Sequence, residues 1–466
     1  MPTPSWPTET SDEVAWLGIA ELGRRFRRRE VSPVELTRSL LARIERLQPH
    51  CHAFLRLTPE LALTQAAEAE AELATGKDRG PLHGVPYALK DIADVAGVPT
   101  TCHSKILAGH AAPQDADIVK RLHEAGAVLI GKTALHEFAT GGPAFDLPWL
   151  PARNPWDLSR HPGGSSSGSA AALAAGLIPA AVGTDTGGSI RNPATCCGLI
   201  GLKPTYGLVS AKGVFPLSPT LDHVGPMTRT VEDNALLLQA MTGGPPFYLG
   251  MYAGIRDLRI GVVEHFHPDD GNVDAPMMQA FEDAVKLLRS MGAAVGVAHL
   301  APLAEWATCG STIQQFEQYA VHEKWLASRP QDYCALSRAK LSAGANLSRV
   351  DYEQALEKRR QLRAALEAVM RDFDALVSLS GFHLPAPIED ADAVARTYVR
   401  HARMPFNVSG TPAIAVPTGF SKEGLPLGMQ ICAKAYDESM LYRIAWAYCE
   451  EAGAAVSWSA RRPPLE

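Results

Sequence analysis

Short apolar runs alternate with helical segments between residues 83 and 241, and no other feature limits the possible folds of this chain as strongly. The predicted strands are residues 86–89, 127–130 and 180–183, and the predicted helices are residues 117–124 and 169–175. Each strand is short and almost wholly apolar, which is typical of strands buried on both faces. The alternation therefore predicts an α/β fold with a mixed, mostly parallel central sheet covered by helices on both faces.

The 466 residues contain no repeat and no low-complexity linker, so we expect a single domain. A capping box at residues 32–35 predicts that a helix begins at Pro33. Four segments follow from the pattern: an N-terminal helical segment over 1–80, a core over 81–241, a variable helical region over 242–400, and C-terminal strands and a helix over 401–466.

Composition places the chain among globular proteins, since 46% of its residues are apolar and 20% are charged. The eight cysteines are scattered without a regular spacing, which is typical of a reduced thiol inventory. Residues 1–7 contain no apolar signal core. The apolar stretch over residues 170–182 is shorter than the ~20 residues that a membrane span needs. We therefore expect a cytoplasmic protein with no membrane partner.

The charge distribution argues against a nucleic-acid partner. The net charge is −6, and the one strong basic run, residues 24–29, is flanked by Glu21 and Glu30. A short basic run with an acidic residue on either side is typical of a solvated helix face.

Two glycine-serine stretches and one lysine carry the chemistry of the sequence. The stretches are residues 162–169, Pro-Gly-Gly-Ser-Ser-Ser-Gly-Ser, and residues 183–191, Gly-Thr-Asp-Thr-Gly-Gly-Ser-Ile-Arg. Loops of this kind bring backbone N–H groups and hydroxyls close to a ligand. Lys90 ends an apolar run, and burial there would favour its neutral, basic form. Together they predict nucleophilic chemistry without a histidine.

Three segments match or partly match known catalytic or binding motifs, but each lacks a structural feature or residue that the motif needs. Residues 126–133 match G-x-x-x-x-G-K-[ST], but the intervening Ala-Val-Leu-Ile is a strand rather than an open phosphate-binding loop. Residues 164–168 match G-x-S-x-G, but the polar sequence before them is no strand that could feed a nucleophile elbow. His136-Glu137 lacks the second histidine of H-E-x-x-H, so we expect no metal.

The sequence, taken over all these segments, resembles the amidase signature family. The motifs that carry the resemblance occur in order at residues 84–86, 90–91, 131–133, 154–155, 163–169, 183–191, 201–205, 221–226 and 407–413. Each motif alone is weak support, but the ordered set is specific. Ser167 and Ala134 depart from the commoner pattern of the family, and neither lies at a position that the chemistry requires.

The resemblance implies a Ser–cis-Ser–Lys triad. Ser189 matches the nucleophile, Ser165 the bridging serine of the cis peptide, and Lys90 the base, and 24 positions separate the two serines. Neutral Lys90 would accept a proton from Ser165, which would accept one from Ser189 and later return it to the departing amine.

The rest of the implied site supports this triad. The oxyanion hole would be formed by the backbone N–H groups of Thr186, Gly187, Gly188 and Ser189. The supporting residues would be Ser166, Asp185 and Arg191. Cys196 and Cys197 are interpreted as packed core. No cofactor and no metal are implied, and the core over 81–241 becomes the catalytic core.

Apolar and aromatic residues flank these loops and are predicted to line the substrate pocket: Phe145, Trp149, Tyr206, Phe215 and Leu217. They favour a small-molecule substrate with an apolar or aromatic group, cleaved at an amide, anilide, carbamate (urethane) or ester bond. We expect a monomer or homodimer.

Two other functions stay open from the sequence. The chain could be the glutaminase-type subunit of a multi-subunit tRNA-dependent amidotransferase. It could also be a silent binding module, which the three intact triad positions disfavour.

Overall fold

A sheet of eleven strands runs through the computed structural model, which describes residues 6–7, 12–266, 273–398, 402–458 and 460–465. Residues 1–5, where we expect no signal core, lie outside the described part. The strands are β1 Phe54–Leu57, β2 Pro86–Lys90, β3 Val128–Thr133, β4 Ala180–Asp185, β5 Ile200–Lys203, β6 His223–Thr228, β7 Arg259–Val262, β8 Ala294–Val297, β9 Ala375–Leu379, β10 Ala413–Phe420 and β11 Pro426–Ala433. Their order in the sheet is β1-β3-β2-β4-β6-β5-β10-β11-β9-β7-β8. The single α/β domain is confirmed.

The balance of strand directions differs from the prediction. Strand β2 is parallel to β3 and β4, and β7 is parallel to β8 and β9. The other six pairings described are antiparallel. The mixed sheet is confirmed, but the parallel majority is wrong, because strand-helix alternation gives parallel pairs only in two groups, β3-β2-β4 and β9-β7-β8, and the described strands beside and between these groups pair antiparallel. Strands β10 and β11 form a hairpin across residues 421–425, and a hairpin can only be antiparallel.

Helices cover the sheet on both faces: α1 Ile19–Arg27, α2 Pro33–Cys51, α3 Pro59–Ala74, α4 Asp117–Glu124, α5 Ser167–Ala174, α6 Arg191–Cys197, α7 Val231–Thr242, α8 Ala275–Ser290, α9 Leu303–Ser328, α10 Ala335–Ser342, α11 Arg349–Val369, α12 Ala391–Arg396, α13 Met404–Ser409 and α14 Glu438–Ala452. In β3, Val128 and Ile130 belong to one apolar core and Leu129 to another, since successive side chains point to opposite faces. Within the described ranges, no helix is both long and apolar enough to cross a membrane.

Two local predictions are confirmed. Helix α2 begins at Pro33, and the Ser32 hydroxyl accepts the backbone N–H of Glu35, 3.1 Å away. The stretch that imitates a phosphate-binding loop is strand β3, and Gly126 before it has φ +76°, the left-handed conformation that ends helices.

Helix α5 places the first serine loop. Every residue of Ser167–Ala174 is buried, and the helix lies so close to β1 and β3 that a Cβ on Gly168 would be 2.3 Å from the carbonyl oxygen of Ala53. Only small side chains allow this approach. The loop before α5 is thereby held against the carboxyl ends of β2 and β4.

Candidate active site

Lys90 is the last residue of β2, an interior strand between β3 and β4. Its side chain is buried, with 1% of the residue exposed. Its Nζ donates to Ser165 Oγ at 2.8 Å and to Thr184 Oγ1 at 2.7 Å. Burial lowers the pKa of Lys90 to about 7, although the carboxylates of Asp222 and Asp185 raise it. Close to neutral pH, a large fraction of this amine is therefore uncharged and basic.

Ser165 lies in the loop between β3 and α5, and its peptide bond to Gly164 is cis. Its side chain is buried, and its carbonyl oxygen accepts the backbone N–H of His136 at 3.1 Å. The ring of His136 packs on Gly164, so that a Cβ there would lie 2.1 Å from the ring. Ser165 is thus held at its backbone by His136, which lines the cavity, and at its side chain by Lys90.

The second serine loop folds around a buried carboxylate. Asp185, the last residue of β4, accepts the backbone N–H of Gly188 at 2.7 Å and that of Ile190 at 3.2 Å. Its carboxylate also pairs with the guanidinium of Arg191 at 3.0 Å. Burial by itself would raise the pKa of Asp185, but Arg191 holds it far below its usual range. These contacts support the prediction that Asp185 and Arg191 brace the serine loop.

The two serine loops contact each other directly. The backbone N–H of Ser166 donates to the carbonyl oxygen of Ser189 at 3.2 Å. The hydroxyl of Ser166 donates to the carbonyl oxygen of Thr184 and accepts its N–H, both at 3.2 Å. Ser165 and Ser189 face one cavity. The structure therefore brings Lys90, Ser165 and Ser189 together in one site.

Of the predicted oxyanion-hole residues, Thr186, Gly187, Gly188 and Ser189 all line this cavity. Gly188 has φ +116°, a conformation that favours glycine. Because its N–H already donates to Asp185, it is not free to bind a ligand, and the donors that remain in the loop are those of its neighbours.

Two groups complete the site that were not predicted from the sequence. Thr184, within the second motif, accepts one N–H of Lys90. Asn407, within the C-terminal motif, donates to Asp185 Oδ1 at 2.8 Å and accepts from Arg191 at 2.6 Å. A motif so far along the chain was the only available signal for Asn407.

The lysine of the rejected phosphate-binding pattern has a structural partner. Lys132 Nζ lies 2.8 Å from Asp91 Oδ1, and both side chains are fully buried. The other carboxylate oxygen of Asp91 accepts from Thr101. This ion pair fixes the backbone just after Lys90.

Replacing Lys132 with methionine is expected to destabilise the fold by about 3–5 kcal/mol, because it leaves Asp91 as an unpaired buried charge. The free energy of unfolding in urea measures this. The double variant Lys132→Met with Asp91→Asn should recover part of the loss, because the new amide oxygen would still accept from Thr101 without carrying a charge. A loss below about 1 kcal/mol, the size of an exposed ion pair, would contradict the assignment.

The cavity beside Ser189 has a volume of about 350 Å³. One side is formed by the serine loops, and the opposite side by α9 and α10. The side chains that face it include His136, Thr140, Asn192, Leu217, Ser311, Gln314, Gln315, Gln318, Lys340, Tyr398 and Met404. A second cavity of about 170 Å³ adjoins it and shares Ala139, Thr186 and Leu217.

The five residues predicted to line the pocket are spread over this region. Leu217 lines both cavities, and Phe215 lines the second. Phe145 and Tyr206 are both exposed, and the hydroxyl of Tyr206 donates to the carbonyl oxygen of Pro219. Trp149 is half-buried and packs on His103. Their contact with substrate stays a prediction, and most of the side chains described around Ser189 are polar.

The adjacent cysteines lie on α6, and both are buried and reduced. Burial raises the pKa of Cys196 to about 12, which keeps it a thiol. This fits the interpretation of both residues as packed core.

Comparison with known proteins places this geometry in a family. The sequence model of the Amidase family matches residues 35–442. A glutamyl-tRNA(Gln) amidotransferase subunit from Carboxydothermus hydrogenoformans is 36% identical over 477 residues, which cover 94% of this chain and 97% of the relative. The corresponding subunit from Acidothermus cellulolyticus is 39% identical and covers 92% of each chain.

Solved structures agree with the sequence match. The native peptide amidase from Stenotrophomonas maltophilia superposes with a TM-score of 0.83 at 31% identity, covering 97% of this chain and 99% of its own. An inhibitor-bound chain from a vestigial protein complex, connected with the origins of an s-triazine catabolic enzyme, superposes with a TM-score of 0.88 at 30% identity, covering 95% and 100%. The chain therefore belongs to the amidase signature family of hydrolases.

Proposed function

We propose that this protein is a serine amidohydrolase that cleaves a C–N acyl bond through an acyl-enzyme on Ser189. The observation that carries the proposal is the buried hydrogen bond of 2.8 Å between Lys90 and Ser165, beside the cavity that Ser189 also lines. A lysine whose pKa is lowered to about 7 can act as a base where an ordinary lysine cannot.

The proposed relay starts at the amine. Thr184 holds one N–H of neutral Lys90, so the nitrogen lone pair can accept the proton of Ser165. Ser165 accepts the proton of Ser189 as the oxygen of Ser189 bonds to the acyl carbon. When the C–N bond breaks, the relay returns the proton to the departing nitrogen. Water then attacks the ester through the same relay, and the free acid leaves.

The oxyanion that forms during attack needs backbone donors. The N–H groups of Thr186, Gly187 and Ser189 are our candidates, since that of Gly188 donates to Asp185. Asp185 and Arg191 would hold the loop so that these donors do not reorganise during the reaction.

Two candidate functions differ in the natural substrate whose bond is cleaved. Peptide amidase and the amidases among the solved structures support a self-sufficient hydrolase of small amides, with anilides, carbamates (urethanes) or esters as further substrates. The full-length similarity to the glutamyl-tRNA(Gln) amidotransferase subunits supports a second candidate, a glutaminase that works with partner subunits. Both use the same first half-reaction.

The purified chain alone, assayed with a primary amide, a 4-nitroanilide, an aryl carbamate and glutamine, tests the proposal, with Ser189→Ala as control. Turnover that is lost in the variant supports a self-sufficient amidohydrolase. Turnover of glutamine alone, or activity only with added amidotransferase subunits, supports the second candidate. Turnover that survives in Ser189→Ala contradicts both.

Hydrolysis is expected to increase with pH around neutrality, because the relay needs Lys90 without its extra proton. With the pKa of Lys90 at about 7, kcat/KM should rise about tenfold per pH unit below that value and level off above it. Steady-state kinetics from about pH 5.5 to 9 measure this. A flat profile over that range would contradict the role of Lys90.

Two other buried groups titrate in the same range and provide controls. Burial lowers the pKa of Lys203 to about 7 and raises that of Asp222 to about 6. Lys203→Met should keep the inflection near that of the wild type. Asp222→Asn should move it to lower pH, because the carboxylate that raises the pKa of Lys90 is gone. Loss of the inflection in Lys203→Met would assign it to Lys203 instead.

A further inference from the structure

The cavity beside Ser189 carries an unbalanced charge. Among the described residues that line it, Lys340 is the only lysine or arginine, and no aspartate or glutamate is present. His136 does not offset this, because burial and the nearby His161 and Lys90 hold its pKa well below the usual range, which keeps the ring neutral. A cavity with a cation and no anion attracts an anionic ligand and repels an ammonium group.

Lys340 has hydrogen-bonding capacity to spare. It lies on α10, and its Nζ donates to the carbonyl oxygen of Gly141 at 2.9 Å. Burial lowers the pKa of Lys340, and a ligand carboxylate beside it would favour the charged form. An ammonium group has three donors, and a carboxylate can accept from those that remain. The contact with Gly141 holds the ammonium group at the cavity wall.

A buried glutamine links Lys340 to the rest of the wall. Gln318, 1% exposed, donates through Nε2 to the backbone oxygen of Lys340 at 2.8 Å. Its Oε1 accepts from Gln314 Nε2 at 3.3 Å. The side-chain oxygen of Gln314 faces Gly187: it lies 3.9 Å from the position that a Cβ on Gly187 would occupy. The wall therefore presents an acceptor near the serine loop and, on α10, a cation.

We propose that the amide which this site accepts carries a carboxylate, and that Lys340 binds it while the scissile carbonyl lies at Ser189. The inference rests on the proposed function and specifies its substrate class. The volume of about 350 Å³ is at the small end for ligand pockets, which fits a short acyl chain. This proposal takes the place of the predicted aromatic substrate. That prediction rested on five residues, of which only Leu217 lines this cavity.

Four amides of matched length test the charge preference: glutaramate, which is anionic, glutaramide, which is neutral, 4-aminobutanamide, which is cationic, and glutamine, which is glutaramate with an added ammonium group. We expect kcat/KM for glutaramate to be about tenfold or more above that for glutaramide and 4-aminobutanamide, since a hydrogen bond to a charged group is worth about that factor. It should also exceed that for glutamine, because the added ammonium group finds no carboxylate among the described residues that line the cavity. In Lys340→Gln this preference should disappear through KM, with kcat nearly unchanged. Lys340→Arg should keep it.

The controls separate this inference from the proposed function. Lys324→Gln removes the same charge from α9 outside the cavity lining and should leave all four rates unchanged. Binding of the four amides to Ser189→Ala, measured by calorimetry, tests the charge preference without turnover. Equal binding or turnover of the four amides, or an equal loss for all in Lys340→Gln, would overturn the inference. Absence of turnover in the wild type, with glutaramate still bound best, would overturn only the proposed function.

Discussion

Replacing Ser189 with alanine is expected to lower kcat for amide hydrolysis by about 10⁴-fold or more, because alanine has no hydroxyl to attack the acyl carbon. The fold should survive. Ser189 is half-buried, and the atom by which it receives the hydrogen bond from Ser166 is its backbone oxygen, which alanine retains. Steady-state kinetics measure the loss, and thermal unfolding checks that the variant remains folded.

A matched serine makes this result specific. Ser169 lies on α5, four positions after Ser165. Its hydroxyl shares a hydrogen bond of 2.8 Å with the hydroxyl of Thr133, and it is not among the residues that line the cavity. Ser169→Ala makes the same chemical change and should keep most of the activity. If Ser189→Ala retained more than a few per cent of the wild-type rate, another group would have to be the nucleophile.

The part of the fold that could be predicted is the part with local patterns. The apolar runs of β2, β3 and β4 and the capped start of α2 are visible within a few residues. The antiparallel pairing of distant strands is different, because β5 pairs with β10 more than 200 positions away. No periodicity in either segment identifies its partner, and register over such a distance depends on the assembled core.

The candidate site divides in the same way. The motifs that contain Lys90, Ser165 and Ser189 are contiguous, so their residues could be named in advance, and the structure places them together. Their catalytic roles stay predictions. The cavity wall could not be named, because Gln314 and Lys340 come from helices whose position against the serine loops follows from long-range packing. The sequences of α9 and α10 alone give no signal that these side chains face a cavity.

Replacing Lys90 with methionine is expected to reduce kcat by about 10³-fold or more while leaving stability nearly unchanged. Methionine has a similar volume and fills the same buried space, and it removes an amine that is costly to charge there. The loss follows because Ser165 would have no acceptor for its proton, so Ser189 would have to attack as a neutral hydroxyl. The remaining activity should no longer change with pH near 7.

The double variant Lys90→Met with Ser189→Ala separates a relay from two independent effects. Residues that act as one unit give losses that do not multiply, because once the nucleophile is gone the base has nothing to activate. The double variant should therefore be no less active than Ser189→Ala alone. Losses that multiply would mean that Lys90 contributes to catalysis apart from Ser189, for example by holding Ser165 and Thr184 in place. The relay requires both results together: a large loss in Lys90→Met and no further loss in the double variant.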